Sequence, residues 1–135
     1  MGFRVNEYLP GVFHIEDALG VCMTLLTGSE RALLVDTGYG LEDVRSFVRT
    51  LTELPLTVIL THGHHDHALG AKWFEKVYLH PEDLPVFSLY TGKDQRRTVL
   101  ASAAARASLC RRKNTWMQKC PFRSRSFLER PTWAG

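Results

Sequence analysis

The sequence predicts an α/β fold, a mixed sheet with flanking helices, on three observations. Short apolar runs alternate with one clear amphipathic helix pattern. Turn residues separate the early runs closely enough for a hairpin. A continuous β-branched run follows the helix, as expected of a parallel strand reached by a crossover.

The elements follow in order. Val12-Phe13-His14-Ile15 is a strand candidate, Val21 to Leu26 a second and Ala32-Leu33-Leu34-Val35 a third. Gly28-Ser29-Glu30 between the last two is turn chemistry and predicts a hairpin. Asp36-Thr37-Gly38 closes the third strand. Leu41, Val44, Phe47, Val48 and Leu51 recur at helical spacing, with Glu42 and Asp43 expected in the first turn and Arg49 near the end. Pro55 ends that pattern, and Leu56-Thr57-Val58-Ile59-Leu60 suits a strand buried on both faces. Thr61 to His67 is then a loop, Ala68 to Phe74 a short helix and Val77-Tyr78-Leu79 another strand. Pro81 is placed to open a helix after His80, and Gln95 to Leu109 is Ala-rich and helical.

At 135 residues the chain has room for one domain, and its 44% apolar and 23% charged shares are those of a globular protein. The net charge of +3 conceals an asymmetry: residues 1–95 carry a net of −6 and residues 96–135 a net of +9. The reading divides the chain into a folded region, 1–109, and a basic aperiodic tail, 110–135, expected to be disordered. Cys22, Cys110 and Cys120 are odd in number and lack a C-x-x-C pair, which suits reduced thiols in a cytoplasmic protein. Met1 begins no apolar leader, and no apolar stretch approaches membrane-spanning length. The basic end shows no regular helical or strand period, which counts against nucleic-acid binding.

The chemistry lies in Thr61-His62-Gly63-His64-His65-Asp66-His67, which holds four of the six histidines. Clustered imidazoles repel one another when protonated, and imidazole with carboxylate suits zinc. The loop leaves the C-terminal end of a buried strand, where open α/β sheets place their sites. His62 and His64, two apart, project to one side of an extended stretch and could grip one metal. Asp66 and His67, after the turn, could reach a second metal beside it. Gly63 and Gly70 give the backbone freedom there. The competing reading, a histidine-rich surface loop without ligands, is disfavoured by the spacing and by the preceding strand. His65 is expected to point away from the metals. His14 and His80 read as structural, the first in a strand and the second before Pro81.

The segment resembles the H-x-H-x-D-H signature of the metallo-β-lactamase-fold hydrolases. Leu33 to Gly38, Gly11 to Ile15 and Tyr78 to Asp83 resemble the family's neighbouring segments, so the similarity runs from residue 10 to about 90. Its flavour is glyoxalase-II-like rather than that of the true lactamases. The resemblance implies the first half of an αββα sandwich and a zinc-dependent hydrolase acting on an ester, thioester or related bond of a small-molecule substrate. It implies that His62 and His64 bind one zinc and that Asp66 and His67 bind a second. Asp66 would also orient the attacking hydroxide, and Asp36 would stand behind the metal loop and orient it by hydrogen bonding. Asp36 has an equal reading as a turn residue.

The family completes its two-zinc site with histidines and an aspartate far downstream. Here no histidine follows His80, and beyond the helix start at Pro81-Glu82-Asp83 only Asp94 and Glu129 are acidic. The chain therefore reads as truncated, as a frameshift, splice artefact or damaged gene would leave it. A catalytically inactive metal-binding fragment is the alternative, with a nucleic-acid-binding or nuclease-like member less favoured. Cys110 and Cys120 have no surroundings that suggest zinc ligation.

Overall fold

A computed structural model describes residues 2–113. One five-stranded sheet runs β1 (Arg4–Leu9), β2 (Val12–Glu16), β3 (Cys22–Thr27), β4 (Ala32–Val35) and β5 (Leu56–Ile59), in that spatial order. The first three pairings are antiparallel, and β4 lies parallel to β5 across the crossover helix α1 (Val44–Leu51). The expected mixed sheet is thus present.

Pattern reading missed β1. Its six residues, RVNEYL, are all exposed, so burial imposes no alternation on them. The strand forms because it pairs with β2 through a turn at Gly11, which has φ 78°. A Cβ there would meet the Thr27 carbonyl oxygen at 2.6 Å, so the turn requires glycine.

The core lies between one sheet face and α1. Ile15, Met23, Leu25, Leu34 and Val58 meet Val44 and Val48 there, all at 2% exposure or less. Each valine of α1 contributes roughly 1.5–3 kcal/mol by this burial. The helix starts later than its pattern suggests. Asp43 caps it by accepting from the Ser46 N–H at 3.0 Å, which puts Glu42 and Asp43 ahead of the first turn rather than inside it. Leu41 accordingly joins a second cluster with Tyr39, Leu69 and Ala103.

β5 is not buried on both faces. It is the last strand of the sheet: Val58 is buried, but Leu56, Thr57 and Ile59 are only half-buried. The expected strand at Val77–Leu79 shrinks to a single parallel bridge, Ile59 with Tyr78, held by the Tyr78 N–H on the Val58 carbonyl and the Leu60 N–H on the Tyr78 carbonyl.

The next helix, α2 (His65–Ala68), begins inside the expected loop and continues as a 3-10 turn, Leu69–Trp73. A 3-10 turn at Pro81–Asp83 leads into α3 (Leu84–Thr91), with His80 Nδ1 accepting from the Glu82 N–H at 3.3 Å. The last described helix, α4 (Lys93–Lys113), passes residue 109, and residues 114–135 of the expected tail lie outside the described residues. Ala103, Val99 and Leu100 seat α4 against Tyr39 and Leu69. Among the described residues no helix is long and apolar enough to cross a membrane.

Candidate metal centre

The site forms where β4 and β5 end side by side. The Asp36 N–H donates to the Ile59 carbonyl at 2.8 Å and extends the parallel ladder by one residue. Asp36 then turns with φ 64°, in the left-handed region that Asp tolerates better than most residues. That turn aims its buried carboxylate across the strand ends. Oδ1 accepts from the Thr61 N–H at 2.8 Å, and Oδ2 lies 2.9 Å from His67 Nδ1.

This network sets the two imidazoles. Thr61 Oγ1 reaches both Asp36 oxygens, at 3.0 and 2.9 Å, and gives them its only proton. It therefore accepts from His62 Nδ1, 2.9 Å away. His67 likewise gives its Nδ1–H to Asp36. In a neutral ring so held, Nε2 is the acceptor, and His67 Nε2 stands 3.6 Å from Asp66 Oδ2. His62, Asp66 and His67 each offer one donor atom within 4.8 Å of the others. Two imidazole nitrogens and a carboxylate are a zinc-type donor set, so the residues present fit the metal.

His64 stands outside that trio. Its ring crosses His62 at 90° with centroids 4.8 Å apart and meets the edge of Tyr90 at the same distance. His65 turns to Tyr39 and Tyr90, with centroids 5.5 and 5.7 Å away. Its Nδ1 is buried without a hydrogen-bond partner among the described residues.

The loop is fastened on two sides. The His67 carbonyl accepts from both Thr37 N–H and Thr37 Oγ1, at 2.9 and 2.8 Å, and the Gly70 N–H donates to the Gly38 carbonyl. A Cβ on Gly70 would strike the Thr37 carbonyl oxygen, and one on Gly63 would strike the Phe87 backbone. Neither glycine has a positive φ, so their role is close approach rather than conformational freedom. Asp83 accepts from the Gly63 N–H and ties the start of α3 to the loop.

The segment from 17 to 105 matches the sequence profile of the Metallo-beta-lactamase superfamily. The chain belongs to the metallo-β-lactamase superfamily. A curated relative, the acyl-coenzyme A thioesterase MBLAC2 of Gallus gallus, is 35% identical over 65 residues, which are 42% of this chain and 24% of that protein. Two solved structures share the fold. The DIM-1 metallo-β-lactamase exposed to ceftazidime superposes with a TM-score of 0.56 at 17% identity, over 66% of this chain and 48% of its own. The metallo-β-lactamase of Erythrobacter litoralis superposes with a TM-score of 0.54, also at 17% identity, over 65% and 46%. The chain thus spans about a quarter of the curated relative and about half of these structures.

In this metallo-β-lactamase fold the H-x-H-x-D-H segment and Asp36 rest on residues that the sequence pattern barely marks. Thr61 carried only one cue, a hydroxyl between an apolar strand and a histidine. Asp17 was legible as turn chemistry ahead of Gly20, since its Oδ1 accepts from Leu19 and Val21 N–H at 2.8 and 3.0 Å. Its Oδ2 also accepts from the Tyr39 N–H at 3.2 Å, which joins the β2–β3 turn to the segment behind the metal loop. Burial pushes the Asp17 carboxyl up from its ordinary 3.8; the three backbone donors pull against that, and the charge of Asp66 adds to it. No short-range pattern marks Tyr90, which reaches the site from α3.

Proposed function

We propose that this chain carries a zinc site on His62, Asp66 and His67, with His64 beside it, and that its reaction is hydrolysis of a thioester or related ester. The observation that carries the reading is the Asp36–Thr61 network. It engages Nδ1 of both His62 and His67, which directs their Nε2 atoms to a metal when the rings are neutral, and His67 Nε2 stands 3.6 Å from Asp66 Oδ2. Zinc, when bound, supplies Lewis acidity that makes water a nucleophile near neutral pH and polarises a carbonyl. His62 and His67 would hold the metal, and Asp66 would add a carboxylate that also orients the water. Asp36 fixes the His67 ring, as ligating histidines require. The thioester preference rests on the chicken relative, whose name is that of an acyl-coenzyme A thioesterase.

A second reading, metal binding without turnover, is favoured by one observation. At this site the described residues bring three donor atoms together, which suffices to bind an ion. Zinc content after dialysis, with and without His62→Ala, tests the site; equal content in both overturns it. Turnover of an acyl-coenzyme A thioester by the zinc-loaded chain, lost in Asp66→Ala, supports the enzyme. Bound zinc without turnover supports the second reading.

A further inference from the structure

A second cluster of ligand-type side chains lies elsewhere on the sheet. His14 and Glu16 are two apart in β2, so they share one face, opposite to the one through which Ile15 enters the core. Cys22 on β3 is the direct cross-strand partner of Glu16. Such partners hold their Cβ atoms about 4.5–5.5 Å apart. An imidazole nitrogen, a carboxylate oxygen and a thiol sulfur therefore meet, each within 4.8 Å of the others.

We propose that His14, Glu16 and Cys22 form a second site, for a soft or borderline divalent cation such as zinc. The donor set carries the argument. Thiolate and imidazole together select metals of this class, and a carboxylate supplies further charge. A tetrahedral ion holds its ligand atoms about 3.3–3.8 Å apart, and the His14–Glu16 pair already meets that spacing. His14 Nε2 and Glu16 Oε1 are already 3.6 Å apart. The Glu16 oxygens divide their work: Oε2 takes the Arg4 guanidinium from β1, and Oε1 faces His14. Arg4 is thus a positioning residue that orients the carboxylate, and Tyr8 backs the His14 ring edge-on at 5.7 Å. The donors stand on paired strands, and the Cys22 thiol, which donates to the Gly20 carbonyl at 3.8 Å, would exchange that weak bond for the ion.

The test is cobalt(II) titration of the reduced full chain. A thiolate ligand produces a sulfur-to-cobalt charge-transfer band in the near ultraviolet; the nitrogen and oxygen donors of the His62 site do not. The band should appear, persist in His62→Ala and in the double variant Cys110→Ser, Cys120→Ser, and vanish in Cys22→Ser with loss of one equivalent of bound cobalt. His14→Gln should weaken cobalt binding at least tenfold. Absence of the band overturns the proposal, as does its survival in Cys22→Ser or its loss in the Cys110, Cys120 double variant. The His62→Ala arm separates this outcome from failure of the loop site.

Discussion

Asp36 Oδ2 accepts from His67 Nδ1 at 2.9 Å, from a backbone held at φ 64°. The same carboxylate binds Thr61, and through it His62, so one side chain at the end of β4 orients two imidazoles. Asp36→Asn is the sharpest test, because Asn also tolerates the left-handed backbone and keeps the turn. Its amide nitrogen or neutral oxygen cannot replace the carboxylate on both sides. Zinc affinity, read by competition with a chromophoric chelator, should fall about 10–100-fold with little change in folding. Unchanged affinity would remove Asp36 from the site.

Gly70→Ala tests the fastening of the metal loop. The added methyl would meet the Thr37 carbonyl oxygen, which is backbone and cannot swing aside. Loss of about 1–3 kcal/mol is expected from overpacking, read as a lower urea midpoint. Zinc affinity should fall with it, since Thr37 holds the His67 carbonyl. A variant as stable as the parent would show that the contact can relax.

Asp43→Ala separates helix stability from the site. Asp43 caps α1 through the Ser46 N–H and accepts from Ser46 Oγ at 2.7 Å, and Ser46 holds its carboxyl below the ordinary 3.8. Removing the cap should cost about 1 kcal/mol. The depressed value makes the charged cap's contribution fully present above 3.8 and lost as pH falls through the lower folded value. Chemical denaturation at stepped acid pH should show that loss in the parent and not in the variant, with zinc content equal in both.

Asp17 has the opposite sign. Burial raises its folded value above 3.8, so folding takes up a proton in the window between the two values. Stability falls as pH rises through that window. In metal-free protein, Asp17→Asn should abolish this part of the pH slope, on top of a constant loss from weakened bonds to Leu19, Val21 and Tyr39. Parallel pH profiles for parent and variant would assign the slope to other carboxylates.

Short-range pattern accounts for the part of this protein that is legible along the chain. The apolar runs of β2 to β5 and the stripe of α1 are legible because burial against one core imposes a period. The H-x-H-x-D-H cluster is legible because its donors are near neighbours in the chain. Tertiary structure decided the rest. It pairs the wholly exposed β1 with β2, and it lays His64 against Tyr90, apart from the trio of His62, Asp66 and His67. It brings Asp36 to Thr61 across two strand ends, and it sets Cys22 opposite Glu16. The physical reason is common to all four. Each depends on register or on the meeting of segments distant in sequence, and such contacts leave no period along the chain.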